Sequence, residues 1–120
     1  MSSQPAAASG DIQESRVGDI SVVSVSGTVD MITAPKLEAA IGSAAKNSPS
    51  AVVVDFTAVE FLASAGMGVL VAAHGDLAPA VRLVVVADGP ATSRPLKLVG
   101  IADVVDLFAT LDEALSALRS

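Results

Sequence analysis

Ser64 stands alone as a hydroxyl in the segment VEFLASAGMGVL, residues 59–70, flanked by Ala63 and Ala65 and followed by Gly66 and Gly68. A serine becomes a nucleophile only beside a base. The one imidazole in the chain, His74, lies ten residues further on. If both sit on one helix, that is about 15 Å along the axis, too far for a Ser-His pair. The surrounding text, LASAG, lacks the first glycine of a G-x-S-x-G elbow. No G-x-x-x-x-G-K-[ST] or G-x-G-x-x-G sequence occurs, and the GMG at 66–68 is too short to be a phosphate loop by itself. With no cysteine, thiolate nucleophiles, thiolate zinc sites and disulfides are excluded, and a single histidine cannot build a multi-histidine metal site. The chain therefore reads as a non-enzyme without metal or cofactor.

Two other uses of Ser64 remain. Placed just before a helix, it is a natural N-cap, its Oγ accepting from a backbone N–H. The same position suits a covalent anion, because a helix N-terminus carries unpaired N–H groups and partial positive charge. A phosphate there adds about −1.5 to −2 charges at pH 7. Gly66 and Gly68 cost helix stability, so they need a reason: access for a second surface, or close packing of helix on sheet. Asp30 reads as a turn or helix-dipole aspartate. Asp55 and Thr57 are candidate contacts or local loop hydrogen bonders, and Met67 is an apolar contact or a core residue. His74 reads as structural. Arg94 and Lys97 read as a solvated helix face, with partner docking as the alternative.

The elements that must hold these residues follow from periodicity. Residues 12–17 and the β-branched run 20–27 read as two strands joined at Gly18 and Asp19, a hairpin. Leu37, Ala40, Ile41 and Ala44 form a helical stripe, with Pro35 near its start and NSPS at 47–50 as its breaker. AVVVDF, 51–56, is a strand buried on both faces. Met67, Leu70, Val71 and His74 keep helical spacing, with Gly75 as terminator. A buried strand is expected at 81–87, a short helix at 92–99 ended by Gly100, and a strand at 104–108. The T-x-x-E pair Thr110 and Glu113 starts a last helix with Leu111, Ala114, Leu115 and Leu118 inside. The order is β-β-α-β-α-β-α-β-α, which after the hairpin predicts an α/β fold with a mostly parallel sheet of four to five strands covered by about four helices.

Composition agrees with one domain over 11–120, after a tail, 1–10, read as disordered. Of the 120 residues 52% are hydrophobic, enough for a core, and three phenylalanines are the only aromatics, so stacking platforms for bases are scarce. A net charge of −6 argues against direct binding to nucleic acid or anionic membranes and suits a basic protein partner. No apolar run approaches the roughly 20 residues of a membrane span. The N-terminus lacks the basic start and apolar segment of a signal peptide, and the expected compartment is cytoplasmic.

The stretch VVVDFTAVEFLASAGMGVLV, 52–71, resembles the signature of the STAS domain of bacterial anti-sigma factor antagonists. In that signature an apolar strand precedes D-[LF]-[ST]-x-V-x-[FY]-[ILM]-D-[ST]-[ST]-G-[LM]-G. Asp55, Phe56, Thr57, Val59, Phe61, Leu62, Ser64, Gly66, Met67 and Gly68 fit it. A second block, residues 25–41, resembles the family's G-x-[LIV]-D through Gly27, Val29 and Asp30. The resemblance spans about 11–119 and implies the STAS fold. It also implies a partner switch: the protein would bind an anti-sigma factor of the histidine-kinase-like ATPase fold and so release a sigma factor for transcription. By position Ser64 would be the phosphorylation acceptor that turns binding off, and a metal-dependent serine phosphatase would reset it. Asp30, Asp55, Thr57, Ala63, Ser64, Ala65, Gly66 and Met67 are the implied partner-binding residues. Two positions depart from the pattern: the family's aspartate before the serine is Ala63, and its following hydroxyl residue is Ala65. Alternative readings are a STAS subunit of a stressosome-like complex or of a lipid-transport ATPase assembly, and a small nucleotide-binding module using Asp30.

Overall fold

The computed structural model describes residues 11–119, so the tail reading for 1–10 lies outside the described residues. Strands β1 (Asp11–Val17) and β2 (Ile20–Val29) form the expected antiparallel hairpin. Then follow α1 (Ala34–Ala45), β3 (Ala51–Leu62), α2 (Ser64–Leu77), β4 (Arg82–Val86), α3 (Ser93–Leu98), a 3-10 turn at Ile101–Asp103, β5 (Asp106–Phe108) and α4 (Leu111–Arg119). The five strands lie in sequence order, and β2 through β5 are parallel.

That order fixes the layers. Parallel neighbours need right-handed crossovers, so three successive crossovers in one direction carry their helices to the same face. Accordingly Leu37 and Ile41 of α1, Leu70 and Ala73 of α2, and Leu96 of α3 share one core with Val23, Val52, Val54, Phe56 and Val85. Helix α4 crosses to no further strand and is free to cover the other face, where Ala114 packs on Val22, Val53, Val84 and Val86. Valine at successive positions of β3 and β4 is what a sheet buried on both faces requires.

Several boundaries differ from the periodicity reading. β3 does not stop at 56 but runs to Leu62. Register shifts against β2, between Ser24 and Ser26 and again between Gly27 and Thr28, leave extra residues in β3. Those bulges keep Phe56, Val59 and Leu62 inside at a spacing of three, which hides the strand from a search for alternation. α2 passes through Gly75 and ends at Leu77, where Ala78 N donates to His74 O at 3.0 Å. Its inward stripe is Gly66, Met67, Leu70 and Ala73, while Val71 is exposed. The expected strand at 104–108 begins only at Asp106, because a 3-10 turn at Ile101–Asp103 takes up the preceding residues. The Thr110 cap of α4 is present: its Oγ1 accepts from Glu113 N at 3.1 Å, and Glu113 Oε1 accepts from Ala109 N at 3.3 Å.

Candidate docking site

β2 and β3 end side by side, with Val29 opposite Leu62. The chain leaving β3 is pinned there, as Ala63 N donates to Val29 O at 2.8 Å. Ala63 is extended (φ −85, ψ 166) and holds the N-cap position of α2, and Ala63 O accepts from Gly66 N (3.0 Å) and Met67 N (3.3 Å). Ser64 is therefore the first helical residue and not the cap expected from its type. Its side chain is exposed, and its hydroxyl has no hydrogen-bond partner among the described residues. The first two N–H groups of this fourteen-residue helix, those of Ser64 and Ala65, have no acceptor among the described residues, so the position favours added negative charge.

The two glycines have different reasons. A Cβ on Gly66 would lie 2.4 Å from Val29 Cγ1 and 2.9 Å from Leu62 Cδ1. Gly66 thus lets α2 lie directly on the ends of β2 and β3, which sets the height of Ser64 above the sheet. A Cβ on Gly68 would meet nothing within 4 Å, and the residue is exposed.

Next to this helix start, residues 30–33 form a turn closed by reciprocal side-chain bonds. Asp30 Oδ1 accepts from Ile32 N (2.9 Å) and Thr33 N (3.1 Å), and Thr33 Oγ1 accepts from Asp30 N (2.8 Å) and donates to Thr28 O (3.1 Å). With both ends fixed, the two residues between them project outward: Met31 is 79% and Ile32 77% exposed. Phe61, next to inward-facing Leu62, is also exposed. Apolar side chains held out by a rigid turn are the notable feature of this end, and no motif pointed to Met31 or Ile32. The signal available in DMIT was a D-x-x-T box with two large apolar residues inside it, which a turn cannot bury.

The amide donors of Thr33 and Ile32 hold the Asp30 carboxyl below its ordinary pKa of 3.8, against a smaller opposing effect of desolvation. Because the folded value is the lower one, this contribution to stability is complete above pH 3.8 and is lost as pH falls through the folded value. Asp30→Ala is expected to lower the melting temperature at pH 7. The gap to wild type should narrow in melts recorded progressively below pH 3.8.

Other expected contacts fall elsewhere. Asp55 pairs with Ser24, five β2 residues before Val29, which puts it about 16 Å from the Ser64 end. Its Oδ1 accepts from Thr57 N at 2.9 Å and from the Thr57 hydroxyl, so the pair braces the first bulge of β3. Met67 turns into the core because it shares the inward stripe with Leu70, which corrects its reading as a contact. Ala63 and Ala65 are half-buried beside Ser64. Arg94 and Lys97 are exposed on α3, and His74 is half-buried near the end of α2. Among the described residues no three His, Cys, Asp or Glu side chains cluster as metal ligands, and no helix is long and apolar enough to cross a membrane.

The STAS domain family model matches residues 11–114. An anti-sigma-F factor antagonist, RsfB of Mycobacterium tuberculosis, is 42% identical over 100 residues, 83% of this chain and 82% of its own length. The crystal structure of an anti-sigma factor antagonist from Mycobacterium paratuberculosis superimposes with a TM-score of 0.90 at 45% identity, covering 98% of this chain and all of that one. The anti-sigma factor antagonist SpoIIAA in its unphosphorylated form shares the fold, with a TM-score of 0.75 at 21% identity over 91% of this chain and 96% of its own. With the five-stranded sheet in place, the capped turn of Asp30 beside it and Ser64 opening α2, this chain belongs to the STAS domain family.

Proposed function

We propose that the protein is an anti-sigma factor antagonist that docks an anti-sigma factor through the end of the sheet formed by Met31, Ile32, Phe61 and Ser64. The partner would be an ATPase of the histidine-kinase-like fold, and its capture would free a sigma factor for transcription. The observation that carries this reading is the lone hydroxyl of Ser64, exposed and unbonded, set at a helix start beside two outward apolar side chains. Such a patch offers apolar anchors to a partner, and large apolar groups displayed on a rigid turn are favourable contact residues. Phosphate on Ser64 would charge this surface without refolding the helix, and the partner would let go. A metal-dependent serine phosphatase would then restore docking.

The test is a phosphoryl-transfer assay. The protein is mixed with the cognate anti-sigma factor and ATP, and intact mass and tandem spectra are followed. One phosphate on Ser64 with loss of the complex is expected; a stable complex with no phosphate after prolonged incubation would remove the switch. The docking half is tested separately. Met31→Asp and Ile32→Asp should each weaken the complex by about tenfold or more, roughly 1.4 kcal/mol or above. Thermal stability should stay within about 0.5 kcal/mol of wild type, since both side chains are exposed.

A further inference from the structure

α3 and α4 lie on opposite faces of the sheet and are unlike in charge: α3 belongs to the last crossover, from β4 to β5, and α4 follows β5 and covers β3, β4 and β5. On α3, Ser93 and Leu96 are buried, which turns Arg94, Lys97 and Leu98 outward. These three line an open groove of about 600 Å3 together with Asp88 and Pro90 of the preceding loop. Arg16 is paired with Asp19 and Arg82 with Asp106, whereas Arg94 and Lys97, like Lys36, Lys46 and Arg119, have no ion pair among the described residues. In a chain of net charge −6, Arg94 and Lys97 put two of the seven basic residues within four positions of one short helix. Leu98 is 75% exposed, and Val99 and Val104 beside it are also exposed, so the basic flank carries an apolar ridge. Across the sheet, α4 and Phe108 line a groove of similar size, about 630 Å3, whose charged residues are Asp112 and Glu113 and whose small residues are Ser116 and Ala117.

The two surfaces begin at the same end of the sheet. Phe108, at the end of β5, pairs with Val86, at the end of β4, so α3 and α4 both start from the same end of the sheet and run the same way. Arg94 is the second residue of α3, and Asp112 and Glu113 are the second and third of α4. A two-fold axis parallel to β5 and beside it exchanges the two faces while preserving height. It therefore lays α3 of one copy on α4 of the other, twice, in a closed arrangement.

We propose that the protein forms a two-fold dimer through this edge, with Arg94 and Lys97 of each copy facing Asp112 and Glu113 of the other and Leu98 seated over Ser116 and Ala117. β5, only three residues long, needs no strand partner in this arrangement. The Ser64 end, built on β2 and β3, stays open, so the dimer and the docking function stand or fall separately.

The experiment is sedimentation equilibrium of the full chain and two variants, at low and high salt. Wild type is expected at twice the chain mass at high micromolar concentration in low salt, and to dissociate as salt screens the charges. Arg94→Glu/Lys97→Glu and Asp112→Lys/Glu113→Gln should each be monomeric; glutamine keeps the cap of α4. Mixed in equal amounts, the two variants should recover the doubled mass, because one interface is then charge-reversed and the other is native. Circular dichroism checks that each variant folds. A monomeric wild type, a dimer that either variant leaves intact, or a mixture that stays monomeric overturns the proposal.

Discussion

Ser64→Glu is expected to weaken binding to the anti-sigma factor by at least about tenfold, while Ser64→Ala stays within about threefold of wild type. The asymmetry follows from what the hydroxyl does in the fold. It accepts and donates no hydrogen bond among the described residues, and the cap of α2 is the backbone of Ala63, so removing the Oγ removes no support. The melting temperature of Ser64→Ala should stay at the wild-type value, whereas a capping serine would have cost about 1 kcal/mol on loss. Glutamate instead places a carboxylate where the partner must close over Met31 and Ile32. A charge buried against an apolar contact costs its desolvation. The helix start tolerates the same charge, so Ser64→Glu should remain folded. Calorimetric titration of both variants into the anti-sigma factor decides the matter. Equal affinities would mean that Ser64 lies outside the interface.

Gly66→Ala and Gly68→Ala should change stability in opposite directions. Each replaces glycine inside a helix, which by propensity alone gains roughly 1 kcal/mol. At Gly68 nothing stands within 4 Å of the new methyl, and the gain should appear in full or in large part. At Gly66 the methyl would sit 2.4 Å from Val29 Cγ1 and 2.9 Å from Leu62 Cδ1, both on side chains buried at the sheet end. Such overpacking costs about 1 to 3 kcal/mol, which outweighs the propensity gain. The relief available is a shift of α2 away from the sheet, carrying Ser64 with it. Gly66→Ala should therefore be destabilised in urea melts and also bind the anti-sigma factor more weakly than Gly68→Ala. A stabilised Gly66→Ala would show that α2 can move at no cost and that the close approach does not set the position of Ser64.

The order of elements, the hairpin, the stripe of α1 and the capping box of α4 were legible because each depends on neighbours in sequence. Alternation, a spacing of three and four, and a T-x-x-E pair are local quantities. So was the interest of Ser64, a lone hydroxyl between alanines with glycines behind it. The second half of β3 was not legible, since two bulges convert its inward spacing from two to three, a pattern shared with helices. Nor was the end of α2: Gly75 is exposed and costs little there, while Ala78 and the residues after it turn the chain toward β4.

What the sequence determined by itself was therefore the inventory: an α/β chain of alternating elements, with no cysteine, a single histidine and one conspicuous serine. The tertiary structure decided which residues meet. Pairing Val29 with Leu62 is a contact between residues more than thirty apart, and it alone brings the turn of Asp30, with Met31 and Ile32, beside the start of α2. The same register leaves Asp55 and Thr57 behind on the strand, although they stand closer to Ser64 in the chain than Met31 does. Spacing along a chain reports distance only within one element; between elements, strand register sets it, and register is fixed by burial that no single segment contains.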